Sequence, residues 1–399
     1  MDPRLINQLM RHAIRLAQKT PLSPSPNPRV GALLVSPVGE IIASGYHRTA
    51  GCDHAEIVVL KSAGKLSGDE TLVVTLEPCC HHGKTPPCID AIIRSGVRKV
   101  VVGCIDPNPA VQGRGILELR RAGVNVTLGI EEARCIELNA GFITRHVANR
   151  PFFSLKEAAT LDGRVFAHGL RKITDVHADR LVHRWRREHD AVLVGIATVL
   201  ADNPQLTVRF ASRNRPQPAR VILDSAARTP PSARVVTAHE SRCLIAVGPR
   251  APARRIASLE KAGASVLHCR VRRGRIDLDD LLNRLLDQNL YSIMIEGGPR
   301  VTQSFLAAGL VDRIDLLFSP RLSGICRGAK TILPLDHGPS FVTALLAELS
   351  LKTVGVDIWI GGYIPDSKFY RYLIDAPRQS ASPQYRPQVA DKIRETASP

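Results

Sequence analysis

Aromatic side chains are scarce: Phe, Tyr and Trp together make up 4% of the 399 residues, with two Trp in all, and Met occurs three times. Packed cores must therefore come mostly from Val, Leu, Ile and Ala. The interleaved aromatic and basic face that single-stranded nucleic acid prefers is missing as well. No apolar run approaches the ~18 residues needed to span a bilayer, which excludes a membrane helix. The start, Met1-Asp2-Pro3-Arg4, lacks the basic-then-apolar order of a secretory signal. It reads as a helix instead, with Leu5, Ile6, Leu9, Met10, Ala13, Ile14 and Ala17 at helical spacing. No internal repeat is evident. Cysteines number nine, an odd count with no regular spacing beyond one cluster. That argues against a disulfide framework and for a cytoplasmic chain in which the cluster binds metal or catalyses. Cys104, Cys135 and Cys243 sit in apolar stretches and read as core.

Acidic residues are in deficit: 54 Lys and Arg against 37 Asp and Glu leave a formal charge of +17. Such a balance suits anionic partners, either nucleic acid or small phosphorylated molecules. The basic residues are spread along the chain and not clustered, which favours the small molecules.

At roughly 100–200 residues per domain, the length implies two or three domains. Short apolar runs alternate with helical patterns. Val30–Ser36 and Glu40–Ser44 read as a hairpin, Ala55–Ala63 as a helix, Thr71–Thr75 as a buried strand and Pro87–Ser95 as a helix stopped by Gly96. Lys99–Cys104 reads as a strand, Gly115–Ala122 as a helix and Val124–Leu128 as a strand. A polar run, Arg145–Pro151, marks a boundary. Beyond it, strands are expected at Ala191–Gly195, Arg220–Leu223, Arg242–Val247 and Ser292–Ile295, with helices at Val176–Arg187 and Leu278–Leu286. Ile314–Phe318 and Val354–Ile360 suggest a closing antiparallel edge. The alternation implies layered α/β domains, 1–146 and 150–363. The segment 364–399 is rich in Pro, Ser, Gln and charge and reads as a disordered tail.

The strongest chemical signal is His54-Ala55-Glu56, then Glu77-Pro78-Cys79 and Pro86-Pro87-Cys88. One imidazole and two thiolates suit tetrahedral zinc, and a catalytic zinc keeps its fourth position for water. That water then ionises near neutral pH. Glu56, two residues from its ligand neighbour, is placed to shuttle protons without binding the metal. Zinc deaminases of nucleobases use His-x-Glu with Pro-Cys-x-x-Cys; here the second Cys lies nine positions after the first. A closed structural site, with His81 or His82 as fourth ligand, is the alternative reading. Cys80 adjoins a ligand but is poorly placed to share the same ion. Pro26-Asn27-Pro28 and Asp106-Pro107-Asn108-Pro109 are rigid polar loops at strand ends. Asn27 there can pair with a heterocycle edge or simply serve the turn. Glu296-Gly297-Gly298 follows one strand and precedes a helix, which suits either a phosphate at a helix N-terminus or a plain tight turn.

These segments resemble the bifunctional deaminase–reductase family of riboflavin biosynthesis, usually called RibD. The resemblance runs over most of the chain. In the first half it covers Pro26–Gly31, His54–Glu56, Thr75–Cys79, His81–Cys88 and Asp106–Pro109; in the second, Lys156–Arg164, Ala191–Gly195, Thr198–Arg209 and Glu296–Gly298. It implies a cytidine-deaminase-like three-layer domain followed by a dihydrofolate-reductase-like α/β domain. The implied first reaction is deamination of 2,5-diamino-6-(5-phosphoribosylamino)pyrimidin-4-one, with His54, Cys79 and Cys88 as Zn2+ ligands, Glu56 as acid/base and Asn27 on the substrate. The implied second reaction is NADPH reduction of the ribosyl chain. For it the family pattern points to Lys156, Thr174, Arg186, Thr198, Asp202, Leu206, Arg209, Ser225, Glu296, Gly297 and Gly298. Asp202 is expected on a sugar, and Arg186 and Arg209 on the substrate phosphate, where a planar donor fork fits. Small phosphorylated pyrimidines are the implied partners, and a homodimer the implied assembly.

The chain departs from the family at two places: Cys80 stands where the family has Ser, and Leu170-Arg171-Lys172-Ile173-Thr174 replaces a Ser-x-Trp-Ile-Thr stretch. Lys172 offers phosphate charge of its own there. Two other readings stay open: a monofunctional deaminase with an impaired second domain, and a nucleic-acid deaminase. A third is a non-enzymatic regulator or scaffold built on degenerate domains.

Overall fold

The computed structural model describes residues 1–20, 25–82, 86–165, 172–209, 216–322 and 346–381. They form two compact units, Met1–Val147 joined by the described residues from Arg371 on, and Ala148–Tyr370.

The first unit holds one five-stranded sheet. Its strands are β1 (Gly31–Val35), β2 (Ile41–Tyr46), β3 (Thr71–Leu76), β4 (Lys99–Cys104) and β5 (Asn125–Leu128), in the order β2-β1-β3-β4-β5. The hairpin partners β1 and β2 run antiparallel, β1 and β3 antiparallel, and β3, β4 and β5 parallel. The two central strands β1 and β3 are buried along their whole length, so they read as unbroken apolar runs. Helices α1 (Pro3–Ala17) and α5 (Glu132–Leu138) cover one face; α2 (Ala55–Ala63), α3 (Cys88–Ser95) and α4 (Arg114–Arg121) cover the other. The result is three layers. Asp2 starts α1 by accepting from the Arg4 amide at 2.8 Å, as an N-cap should. Leu9, Met10, Ala13, Ile14 and Ala17 are its buried stripe. Helix α6 (Ala140–Ala148) then leads into the second unit.

The second unit is built on a nine-stranded sheet. Its strands are β6 (Phe152–Thr160), β7 (Ala191–Gly195), β8 (Ala219–Leu223), β9 (Cys243–Val247) and β10 (Ser265–His268). After a short hairpin of β11 (Val271–Arg272) and β12 (Arg275–Ile276) come β13 (Ser292–Ile295), β14 (Arg313–Ser319), β15 (Ala347–Val354) and β16 (Asp357–Tyr363). Their order is β10-β9-β8-β7-β13-β6-β14-β16-β15. From β10 to β14 all neighbours are parallel, and β14, β16 and β15 close the sheet antiparallel. Helices α7 (Val176–Glu188), α8 (Ile196–Asp202), α9 (Arg234–Thr237), α10 (Ala253–Lys261), α11 (Leu278–Asp287) and α12 (Pro299–Ala307) complete it. Strand order reverses where β13 returns between β7 and β6, the kind of point at which open α/β sheets bind ligands beyond their strand ends. Arg150 holds Asp312 through two hydrogen bonds of 2.7 Å, both groups buried, and so pins the start of β6 to β14.

Two sequence expectations need correction. Val354–Ile360 is not one strand: it straddles the β15–β16 turn, where Gly355 takes φ +65°. Apolar alternation simply continues across that turn. The segment after residue 363 is not wholly tail: α13 spans Lys368–Ser380. Its apolar Phe369, Leu373 and Ala376 recur at helical spacing and are buried, a stripe hidden within a polar composition. Residues 382–399 lie outside the described set. Cys104, Cys135 and Cys243 are core thiols, as their surroundings imply.

Candidate active sites

In the first unit two helices point their N-termini at one place. His54 is the residue before α2, in extended backbone, and Cys88 is the first residue of α3. Cys79 follows the end of β3. His54 Nδ1 lies 3.1 Å from Cys88 Sγ and 3.5 Å from Cys79 Sγ. Zinc bonded to nitrogen at ~2.0 Å and to sulfur at ~2.3 Å makes tetrahedral edges of about 3.5 Å, so the donor set has zinc dimensions. The Cys88 amide points at Cys79 Sγ, 3.3 Å away, and favours its thiolate form. With only protons to share, the two thiols split: hydrogen bonding from Cys88 draws Cys79 down to about 4, and Cys88 is pushed up by the same bond and by burial. A dication relieves that repulsion. Among the described residues the metal-binding group has three members and no fourth. His81 and His82 are exposed outside it. Cys80 turns its thiol 3.7 Å from the Ala110 carbonyl instead.

Glu56, in the first turn of α2, is 3% exposed. Burial, only partly offset by His54, lifts its carboxyl to about 7. Burial thus disfavours its charged form more than it would an exposed carboxylate's, which suits a group that passes protons. Behind the cluster, Glu77 accepts from the amides of Asp106, Gly113 and Ile116 at 3.1, 2.8 and 3.2 Å. That ties the Cys79 loop to the Asp106–Asn108 loop and to α4. Asn108 itself caps a turn, accepting from the Ala110 amide at 3.0 Å.

Sequence reasoning missed His47. It follows β2, and its ring stands edge-on to His54 with centroids 5.4 Å apart. His47 Nδ1 lies 3.1 Å from the Asp53 carbonyl, and Nε2 lies 3.0 Å from the Asn27 amide nitrogen. The carbonyl only accepts, so Nδ1 carries the hydrogen in the neutral ring and Nε2 accepts from Asn27. The Asn27 carbonyl oxygen is thereby the end left for other partners. A lone histidine seven positions before a ligand carries no spacing signal.

In the second unit, the predicted residues fall into groups. Arg186 on α7 meets Glu296, just past β13, at 2.5 Å through Nε and 2.7 Å through Nη2, and donates to the Thr207 carbonyl at 3.0 Å. Its donor fork is thus occupied by a carboxylate. Lys156, His183, Arg209 and Lys172 lie close enough to act on this pair or on one another. Burial, then Arg186 and Arg234, lowers the Arg209 guanidinium. Three cations, Arg186, Lys156 and Arg209, act on Glu296, and Lys172 acts on Lys156 and Arg209 in turn, which makes a basin for an anion. Lys172 pairs with Asp179 of α7. Leu206 is buried, with φ +56°. Thr174 precedes Asp175, the N-cap of α7; Asp202 is exposed at the end of α8; Ser225 follows β8 and donates to Gly274 O at 3.3 Å. Among the described residues no hydrogen bond or ion pair joins these last three to the basin. Leu170, and with it the departure at that position, lies outside the described set.

Gly297 and Gly298 lead from β13 into α12, with Gly298 as N-cap and Pro299 in the first turn. Beside them α8 brings up Thr198, whose Oγ1 would stand 3.4 Å from a Cβ added at Gly298. Pro299 has no N–H and the Val301 and Thr302 amides donate to the Gly298 carbonyl, so Gly298 and Arg300 supply the amides of this first turn, beside space at Gly298 that a side chain would fill. That fits the diphosphate of a dinucleotide.

A family model for the RibD C-terminal domain matches residues 151–359, and one for the cytidine and deoxycytidylate deaminase zinc-binding region matches 3–104. The riboflavin biosynthesis protein RibD of Aquifex aeolicus is 41% identical over 79% of this chain and 87% of its own length; that of Actinobacillus pleuropneumoniae is 42% identical over 88% and 93%. The chain belongs to the RibD family. Among solved structures, RibD of Acinetobacter baumannii superposes with a TM-score of 0.78 at 34% identity, covering 91% of this chain and 99% of that one. A diaminohydroxyphosphoribosylaminopyrimidine deaminase/5-amino-6-(5-phosphoribosylamino)uracil reductase from Thermotoga maritima gives 0.77 at 33%, with the same coverage. The two units are therefore a cytidine-deaminase-like domain and a RibD reductase domain of dihydrofolate-reductase-like fold. As a RibD-family member the chain is a bifunctional enzyme of riboflavin biosynthesis, using zinc in one unit and NADPH in the other.

Proposed function

We propose that the first unit deaminates 2,5-diamino-6-(5-phosphoribosylamino)pyrimidin-4-one and that the second reduces the ribosyl chain of the product to 5-amino-6-(5-phosphoribitylamino)uracil. The observation that carries the reading is the arrangement at Glu56: a buried carboxyl in the first turn of α2, beside three zinc donors with no fourth among the described residues. His54, Cys79 and Cys88 hold the zinc, which when bound supplies the Lewis acidity that makes water a nucleophile at neutral pH. Glu56 takes a proton from the attacking water and returns protons to the ring nitrogen and the departing amine. The carbon–oxygen bond forms, the carbon–nitrogen bond breaks and ammonia leaves. Asn27, its amide held by His47, presents its carbonyl oxygen to a donor on the pyrimidine edge.

In the second unit NADPH supplies the hydride. The α12 N-terminus with Gly297, Gly298 and Thr198 would hold its phosphates, Ser225 would serve the cofactor as well, and Asp202 would contact a sugar. Lys156 and Glu296 face the reacting sugar, with Leu206 and Thr174 on its walls. Arg209, whose side chain is exposed, takes the substrate phosphate; Arg186, its fork on Glu296, shapes the same basin. The proposal extends to a cytoplasmic homodimer that takes small phosphorylated pyrimidines and not nucleic acid. The spread of basic residues along the chain supports the small anionic ligand, and among the described residues no helix is long and apolar enough to cross a membrane.

The test separates the two half-reactions on one preparation. Zinc content should be stoichiometric, and its removal by a chelator should abolish ammonia release while sparing NADPH oxidation with the deaminated substrate. Ammonia release that survives metal removal would end the reading.

A further inference from the structure

The three residues Thr207, Val208 and Arg209 belong to no strand, yet their backbone hydrogen bonds alternate sides as in an extended chain. Each has its backbone gripped by a side chain from elsewhere. On one side stand two residues of α7, His183 and Arg186, three apart and so on one helix face. Arg186 Nη1 donates to the Thr207 carbonyl at 3.0 Å, and the Arg209 amide donates to His183 Nδ1 at 3.1 Å. In an extended chain the carbonyl of one residue and the amide of the second one on point the same way, so this pair reads one edge of the segment. On the opposite edge is Gln217. Its amide accepts from the Val208 N–H at 2.6 Å and donates to the Val208 carbonyl at 3.1 Å. Three side chains thus stand in for the neighbouring strands a sheet would supply. Thr207 and Val208 are buried inside this clamp, whereas the Arg209 side chain is exposed at its exit.

We propose that His183 and Gln217 are positioning residues of the reductase: by fixing the backbone up to Arg209 they aim its guanidinium at the substrate phosphate. The inference rests on the reading of Arg209 given above. Fixing matters because the arginine stem has many rotamers, and a contact held at its root loses less freedom on binding. His183 must offer a bare nitrogen to the Arg209 amide. It is 3% exposed and faces Arg186, Arg209 and Lys172, so burial and then these charges lower it to about 4 and keep it neutral. A proton on Nδ1 would remove the acceptor and add one more cation to the basin.

The experiment uses the full-length zinc enzyme, 5-amino-6-(5-phosphoribosylamino)uracil and NADPH, with inorganic phosphate as competitor. The variants are His183→Ala, His183→Asn, Gln217→Leu and Arg209→Ala. For His183→Ala and Gln217→Leu, the KM for the phosphorylated substrate should rise about ten-fold, roughly the worth of one hydrogen bond. The inhibition constant of phosphate should rise in step. The kcat should stay within about two-fold, and deamination in the other unit should be unchanged. Asn places an acceptor where Nδ1 stands, so His183→Asn should recover most of the affinity. The proposal is overturned if Arg209→Ala raises KM while neither His183→Ala nor Gln217→Leu does. It is equally overturned if the loss falls on kcat alone, or if Asn is no better than Ala. A wild-type KM in Arg209→Ala would instead overturn the assignment of Arg209 itself. Should His183→Ala fail to fold, His183→Asn and Gln217→Leu still read the two edges of the clamp.

Discussion

The guanidinium of Arg186 meets the carboxylate of Glu296 edge-on, with Nε to one oxygen and Nη2 to the other, and both groups are about nine-tenths hidden from solvent. Planar fork on planar carboxylate is the strongest geometry such a pair can adopt. The pair joins α7 to the end of β13, where the strand order reverses. It sets the spacing of the reductase basin.

This pair makes the reductase unit acid-sensitive. Burial alone would raise the Glu296 carboxyl, but Arg186 overrides burial and holds it at about 2, below its ordinary 4.5. A depressed native value stabilises the fold above the unfolded value, and that contribution is lost as pH falls from about 4.5 through 2. By linkage it amounts to about 3 kcal/mol. Glu296→Gln should flatten this limb of the stability curve. At pH 7 it should cost roughly 3–5 kcal/mol, because Arg186 is left buried and unpaired. Denaturant unfolding from pH 7 to 3 reads both; identical acid slopes in variant and wild type would refute the pairing.

Glu56→Gln keeps the shape beside the metal and removes the proton carrier. Turnover of the deaminase should fall roughly 100- to 10,000-fold, with zinc content and NADPH oxidation unchanged. Metal analysis on the assayed sample distinguishes lost chemistry from lost zinc. Retained turnover would assign the proton transfer elsewhere.

His47 should act through Asn27. Replacing it with Leu frees the Asn27 amide, and the carbonyl oxygen loses its fixed direction. The deaminase kcat/KM should drop up to about ten-fold, the worth of one neutral hydrogen bond. Asn27→Leu should cost at least as much. The double variant should cost little more than Asn27→Leu alone, since the two residues act as a unit. Additive losses would place His47 on the substrate independently.

The zinc residues were legible because they lie in short local motifs: His54 and Glu56 share one helix start, and Cys79 and Cys88 bracket a Pro-rich loop. The strands Lys99–Cys104, Ala191–Gly195 and Ser292–Ile295 lie where the apolar runs put them, since parallel strands buried on both faces leave the plainest pattern. What escaped depends on tertiary contact. His183 and Gln217 are 34 positions apart in sequence and meet only because α7 and the approach to β8 flank one extended segment. Helix α13 escaped because the Pro, Ser and charge of the residues after Ala376 coloured the whole segment, although Phe369, Tyr370, Tyr372, Leu373, Ile374 and Ala376 are apolar or aromatic, and the β15 turn because alternation runs through it. Arg186 was expected on phosphate; only the fold reveals that Glu296 already fills its fork.

Adjacent glycines at the nucleotide cradle should behave differently on substitution. A Cβ at Gly297 would lie 2.6 Å from Val301 Cβ and 2.7 Å from its Cγ1, inside the packed base of α12. Gly297→Ala should therefore destabilise the reductase unit by about 1–3 kcal/mol, lowering its Tm by several degrees. At Gly298 the nearest atom is Thr198 Oγ1 at 3.4 Å, and the backbone has φ −71°, which an alanine adopts without strain. Gly298→Ala should leave Tm unchanged. Its methyl would stand where nucleotide phosphates approach the helix amides, so the KM for NADPH should rise about ten-fold or more while the KM for the pyrimidine holds. Calorimetry and steady-state kinetics on the two variants make the comparison. If Gly298→Ala binds NADPH as the wild type does, the cradle is not where the nucleotide sits.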